Sequence, residues 1–212
     1  MTETLTFYTN PMSRGRIVRW MLEEVGEPYE TVLLDYGTTM KGPDYLAINP
    51  MGKVPALKYG DTIVTEGAAI CAFLADMFPD RGLAPAPGNP KRGTYYRWMF
   101  FAAGPVEAAV TGKSLGLLAP EDKKAMAGYG SFEETIDCLE TAVRDCPYIC
   151  GEQFTAADVY VGSQIGWGMM FGTIPKRDSF AEYVGRLQAR PAAIRARELD
   201  DAAMPKQEPQ PA

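Results

Sequence analysis

The hydrophobic period of this chain changes once, across a stretch rich in proline and glycine, and that change limits the folds open to it. On the N-terminal side two periods alternate. Leu5-Thr6-Phe7 alternates as a short strand does. Ile17, Val18, Met21, Leu22 and Val25 then recur at helical spacing, with Ser13 ahead of them as the expected N-cap and Gly26 and Pro28 as the stop. Tyr29 to Leu34 reads as a second strand, and residues 36–48 as a loop with a short helix. Ala56 to Tyr59 and Thr62 to Thr65 flank Gly60-Asp61, the pattern of a two-residue hairpin. Ala68 to Phe78 is a helix with Ile70, Phe73, Leu74 and Met77 on one face, ended by Pro79.

Gly82, Pro85, Pro87, Gly88 and Pro90 mark residues 81–90 as a linker. Beyond it only helical patterns occur, at about 91–111, 120–145, 155–171, 179–189 and 192–200. In the first of these, Tyr95, Tyr96, Trp98, Phe100 and Phe101 lie all around the helix, so burial on several sides is expected, and Gly104-Pro105 should kink or break it. Thr155 and Asp158 have the spacing of a capping box, with Asp where Glu or Gln is usual. Met204 to Ala212 reads as a disordered tail. The expectation is an α/β plus all-α chain. A thioredoxin-like domain of order β-α-β-α-β-β-α covers residues 1–80, a helical bundle covers 91–201, and 202–212 form the tail.

At 212 residues the chain can bury a sizeable core. It contains no histidine, which excludes Ser-His and Cys-His catalysis and histidine metal sites. It has no glycine-rich phosphate loop. With a formal net charge of −6 and scattered basic residues, nucleic acid is not an expected partner. No apolar run approaches the roughly 20 residues that span a membrane, and Met1-Thr2-Glu3 lacks the character of a signal peptide. Cys71, Cys138, Cys146 and Cys150 read as reduced thiols of a cytoplasmic protein. Three residues separate Cys146 from Cys150, one more than in a redox C-x-x-C pair.

Asn49 to Leu57 carries the chemistry. Pro55 cannot donate to a sheet ladder, so Val54-Pro55 ahead of a strand is a deliberate turn, with a cis bond as one way to make it. Such a turn leaves the Val54 N–H and C=O facing outward, where an extended peptide can pair with them. Further on, Glu66-Gly67 opens a helix whose first N–H groups attract an anion. A peptide with a free amine and free carboxylates fits both features, and glutathione is such a peptide.

Four segments in order then resemble the glutathione transferase family. Tyr8 to Ile17, running on to Gly26, is similar to that family's first strand, active-site turn and first helix. Asn49 to Leu57 is similar to its cis-proline segment, Thr65-Glu66-Gly67 to its γ-glutamyl-binding turn, and Gly151 to Val159 to its capping motif in the helical domain. Within the family, Ser13-Arg14-Gly15-Arg16-Ile17 looks most like bacterial and fungal serine-type members.

The resemblance implies a homodimer that adds the thiolate of glutathione, its co-substrate, to an apolar electrophile, with no metal. A thiol of pKa about 8.5 is only a few per cent thiolate at neutral pH, so activation means stabilising the anion. The resemblance makes Ser13 the hydroxyl donor, with Tyr8 and Asn10 as rivals; the residues alone allow Ser13 to be only a cap. It implies glutathione contacts from Lys41, Lys53, Val54, Pro55, Glu66 and Gly67. Gly67 replaces the serine usual there and offers an N–H without a hydroxyl. Arg14 and Arg16 are expected to tune the thiolate, to bind substrate, or to pair with Glu23, Glu24 or Asp44. Met12, Arg97, Trp98, Phe101 and Trp167 are expected to meet the electrophile, and Met51 to be exposed at a subunit edge. Peroxide or disulfide reduction on the same site, and a non-catalytic binding role on the same fold, are the competing expectations.

Overall fold

In the computed structural model, which describes residues 3–205, the N-terminal pattern folds as the two periods dictate. Strand β1 (Leu5–Thr9) buries Leu5, Phe7 and Thr9 and turns Thr6 and Tyr8 to the other face. Helix α1 (Gly15–Val25) buries Ile17, Val18, Met21, Leu22 and Val25, and Gly26 ends it in the left-handed conformation that glycine adopts without steric cost. Strand β2 (Tyr29–Leu33), the short helix α2 (Pro43–Leu46), the hairpin strands β3 (Ala56–Tyr59) and β4 (Thr62–Thr65), and helix α3 (Gly67–Met77) follow. The sheet order is β2-β1-β3-β4, with β1 parallel to β2 and the other two pairings antiparallel. This is the thioredoxin-like arrangement that the element order implied.

An all-helical segment comes next. Helix α4 (Lys91–Phe101) does not break at Gly104-Pro105. A π-helical turn at Ala102–Val106 carries the chain without interruption into α5 (Glu107–Leu115). A wider turn tolerates a residue that has no N–H to give, so the proline is absorbed rather than ending the helix. The helix expected over 120–145 is also different. Glu121–Met126 is a 3₁₀ helix, and α6 (Phe132–Thr141) starts afresh after Gly130, whose φ is +64°. Ser131 and Glu134 form a full capping box at that start. Helices α7 (Ala156–Phe171), α8 (Asp178–Gln188) and α9 (Pro191–Ala202) complete the chain.

The described residues form two compact units whose limits differ from the expected domains. One comprises the residues up to Ile70 together with those from Pro191 onward; the other is Cys71–Arg190. Residues 81–90 do not behave as a free linker. Leu83 O accepts from Ala156 N–H at 2.8 Å, Gly82 O accepts from Gln153 Nε2 at 2.6 Å, and Arg92 binds Pro85 O at 2.8 Å and also the Asp76 carboxylate. These bonds build the stretch into the second unit.

Helix α9, expected in the helical bundle, belongs to the first unit, where it packs along α1. Arg19 meets Asp200 at 2.7 Å with both side chains buried, Arg16 meets Asp201 at 2.8 Å, and Arg195 meets Glu23 at 2.7 Å. Arg19 also donates to Tyr29 Oη and lies over the Phe7 ring, so the buried charge is surrounded by compensating groups. Ala202 is the last residue of α9 rather than the first of a tail, and the tail expected beyond residue 205 lies outside the described residues.

Candidate active site

Strand register brings the candidate residues of the first unit to one end of its sheet. Tyr8 pairs with Ala56, and Ala56 pairs with Thr65. The turn after β1, the Val54-Pro55 segment before β3 and Glu66 after β4 are therefore neighbours on that edge. Helices α1 and α3 both begin there, so their unpaired first N–H groups share it.

The turn after β1 is held by short local bonds. Asn10 Nδ2 donates to Leu34 O at 2.8 Å, and its Oδ1 accepts from Met12 N–H at 2.9 Å. Both ends of the Asn10 amide are thus used structurally. The Ser13 hydroxyl donates to Asn10 O at 2.7 Å and accepts from Gly15 N–H at 2.9 Å. The formal N-cap of α1 is Arg14, one residue after the expected Ser13; the Arg14 side chain makes no capping bond, and the Ser13 hydroxyl takes the Gly15 N–H instead. Tyr8 is half-buried, its ring 5.6 Å from that of Tyr45, and its hydroxyl has no hydrogen-bond partner among the described residues. Met12 is 59% exposed.

Gly15 is a requirement that the sequence did not announce. A Cβ there would lie 2.0 Å from Thr9 Oγ1 and 2.9 Å from Ser13 Oγ, so only glycine lets α1 start this close to β1. The only hint was its place between Arg14 and Arg16, which no period or turn rule explains.

The Val54–Pro55 bond is cis. Pro55 is buried, and neither the N–H nor the C=O of Val54 has a hydrogen-bond partner among the described residues. The residue before it is anchored twice. Lys53 O accepts from Tyr45 Oη at 2.6 Å and from Asn49 Nδ2 at 2.8 Å. Burial pushes the Tyr45 hydroxyl up to about 12, so it stays a donor. Tyr45 and Asn49, to which the sequence assigned no role, thus hold the backbone just before Val54. Lys53 itself is exposed. The Lys41 ammonium binds Met51 O at 3.0 Å and Gly52 O at 2.7 Å, so it braces this loop as well as bringing charge to it.

Glu66 has φ +65°, the one non-glycine residue with positive φ among those described. Its carbonyl accepts Ile70 N–H at 2.9 Å, so Glu66 caps α3, and its side chain is exposed. A left-handed glutamate costs about 1 kcal/mol relative to glycine. Such a cost at an exposed acid points to a task for that side chain.

Within the helical unit, Trp98 is buried and meets Phe101 edge to face at 5.4 Å, and the Arg97 guanidinium lies 4.5 Å from the centre of the Trp98 ring. Trp167 is half-buried, 6.3 Å from Phe171. All four cysteines are free. Burial raises the thiol of Cys71 strongly and pushes that of Cys150 up to about 11, which makes both poor nucleophiles.

Residues 12–77 match the model of the glutathione S-transferase N-terminal domain. The glutathione S-transferase GstA of Escherichia coli O157:H7 is 30% identical over 174 residues, which is 80% of this chain and 86% of GstA. The chain belongs to the glutathione S-transferase family. Among solved structures, a glutathione transferase from Methylococcus capsulatus superposes with a TM-score of 0.78 at 29% identity, over 94% of this chain and all of that one. A sphingomonad glutathione S-transferase complexed with glutathione gives 0.75 at 28% identity, over 92% of this chain and 98% of the other. Among the described residues no group of acids and cysteines converges as a metal site would require, and no helix is long and apolar enough to cross a membrane.

Proposed function

We propose that this chain binds glutathione at this end of the sheet and adds its thiolate to apolar electrophiles, as a serine-type member of the family. The observation that carries the reading is the convergence of three features on one edge: an unpaired Val54 backbone, the left-handed Glu66 at the start of α3, and the Ser13 hydroxyl at the start of α1. The extended peptide pairs with Val54, with Pro55 fixing that backbone. Its glutamyl end meets Glu66 and the Gly67 N–H, and its glycyl carboxylate meets Lys53, with Lys41 adding charge. Glutathione in the complexed sphingomonad relative supports this choice of peptide. Exposed Met12 is the apolar side chain that the turn itself offers to an electrophile.

Glu66→Gly separates the two halves of the argument. Relief of the left-handed backbone should raise stability by about 0.5–1 kcal/mol. Loss of the carboxylate should weaken glutathione binding at the same time. Thermal unfolding and titration calorimetry on the same samples read both. Unchanged affinity would place the glutamyl end elsewhere. Turnover with a panel of electrophiles, set against turnover with hydroperoxides and disulfides, tests transfer against reduction.

The protein is also expected to form a twofold dimer, as the family resemblance implies, with Met51, 67% exposed, at its edge and Phe100, 72% exposed, on an interface helix. Sedimentation at micromolar concentration checks this, and a monomer there would reject it.

A further inference from the structure

We propose that Asp201, on α9, is a positioning residue for the Asn10–Ser13 turn and acts through Arg16. That this turn serves glutathione rests on the functional reading above; the positioning itself does not.

Arg16 lies in the first turn of α1, and neither Glu23, Glu24 nor Asp44 is its partner. Its Nε donates to Pro11 O, and its Nη2 meets Asp201 Oδ1 at 2.8 Å. Nε–H and Nη2–H lie on one edge of the planar guanidinium. The two acceptors therefore sit side by side along that edge, and holding one sets the direction of the bond to the other. Pro11 gives the turn no N–H, and its carbonyl is a point at which a side chain from α1 grips the turn directly. Asp201 is 58% exposed and Arg16 is 26% exposed, so the pair contributes little to global stability. Its effect is local: it keeps a long, flexible side chain pointed at Pro11. The turn so held places the Ser13 hydroxyl.

A second ion pair provides the control. Arg195 and Glu23 also join α9 to α1 but do not touch the turn. The experiment is amide hydrogen exchange on the full chain without ligand, read at Met12, Ser13 and Gly15, whose N–H groups bond Asn10 Oδ1, Asn10 O and Ser13 Oγ. Asp201→Ala should raise exchange at these three amides by about twofold to fivefold. Arg16→Lys, which keeps the charge and loses the fork, should do the same, and the double variant should add nothing. Asp201→Asn keeps an acceptor in place and should restore most of the protection. Arg195→Ala should leave the three amides at wild-type rates. Wild-type rates in Asp201→Ala, or an equal rise in Arg195→Ala, would overturn the proposal. In turnover assays Asp201→Ala should lower kcat by a similar factor with KM for glutathione unchanged. A wild-type protein that does not turn over glutathione would sink the functional reading while the exchange rates still decide this one.

Discussion

Asp158→Ala is expected to destabilise the protein by about 3–5 kcal/mol, the cost of leaving several buried donors without an acceptor. Asp158 is fully buried near the start of α7. Its Oδ2 accepts from Thr155 N–H at 2.8 Å and from the Thr155 hydroxyl at 3.1 Å; its Oδ1 accepts from Ile149 N–H at 2.8 Å and from Tyr183 Oη at 2.8 Å. One carboxylate thus joins the loop before α7, the α7 N-terminus and α8. Alanine strands two backbone N–H groups and two buried hydroxyls at once. The unfolding midpoint should fall by about 10 °C or more, read by calorimetry, while turnover per folded molecule stays near wild type. A loss under about 1 kcal/mol would mean that water or a shifted loop replaces the carboxylate.

The same residue sets a pH dependence. Burial is the largest influence on Asp158 and raises its carboxyl from the ordinary 3.8 to about 6, against the pull of its hydrogen bonds. The folded state therefore holds a proton that the unfolded state has released. By linkage, the proton-linked part of the stability that Asp158 contributes is fully present below about pH 4 and is lost as pH rises through 6. Denaturant titrations of wild type across that interval should show the fall, and Asp158→Asn should flatten it.

Local chemistry was legible in the sequence. The strands and helices of the first 80 residues follow from short periods and from turn residues such as Gly60-Asp61 and Gly26. The Thr155–Asp158 box is written in two side chains three residues apart. What escaped reading depends on distance or on space. Arg16, Arg19 and Glu23 find their partners on α9 about 180 residues later, and no pattern within a window links them. Gly15 is needed because Thr9 occupies the volume a methyl would take, a fact of packing rather than of propensity. The 120–145 pattern looked continuous because its apolar spacing survives Gly128 and Gly130, although Ser131 and Glu134 already spelled a new start. Of the kink or break expected at Gly104-Pro105, the break does not occur, because the rule for proline assumes an α-helical ladder and the turn there is a π turn.

Ser13→Ala should lower turnover at neutral pH by about 10–100-fold, or roughly 1.4–2.7 kcal/mol, with little change in glutathione affinity. A hydrogen bond to the thiolate favours the charged form, so its loss should raise the pKa of the bound thiol. In the structure described here the Ser13 hydrogen goes to Asn10 O. That acceptor also holds Ser13 N–H at 3.0 Å, so the hydroxyl can turn to a thiolate without stranding the carbonyl. Gly15 N–H donates to the Ser13 hydroxyl oxygen, which makes that hydroxyl a stronger donor. The α1 N-terminus adds its own field in the same sense. Tyr8 is the competing donor because its hydroxyl has no partner among the described residues, whereas that of Ser13 has two. The deciding measurement is the thiolate absorbance of bound glutathione across pH in Ser13→Ala and in Tyr8→Phe. A titration displaced upward only in Ser13→Ala assigns the donor to Ser13. A titration displaced only in Tyr8→Phe moves the chemistry to the end of β1 and leaves Ser13 as the residue that shapes the turn.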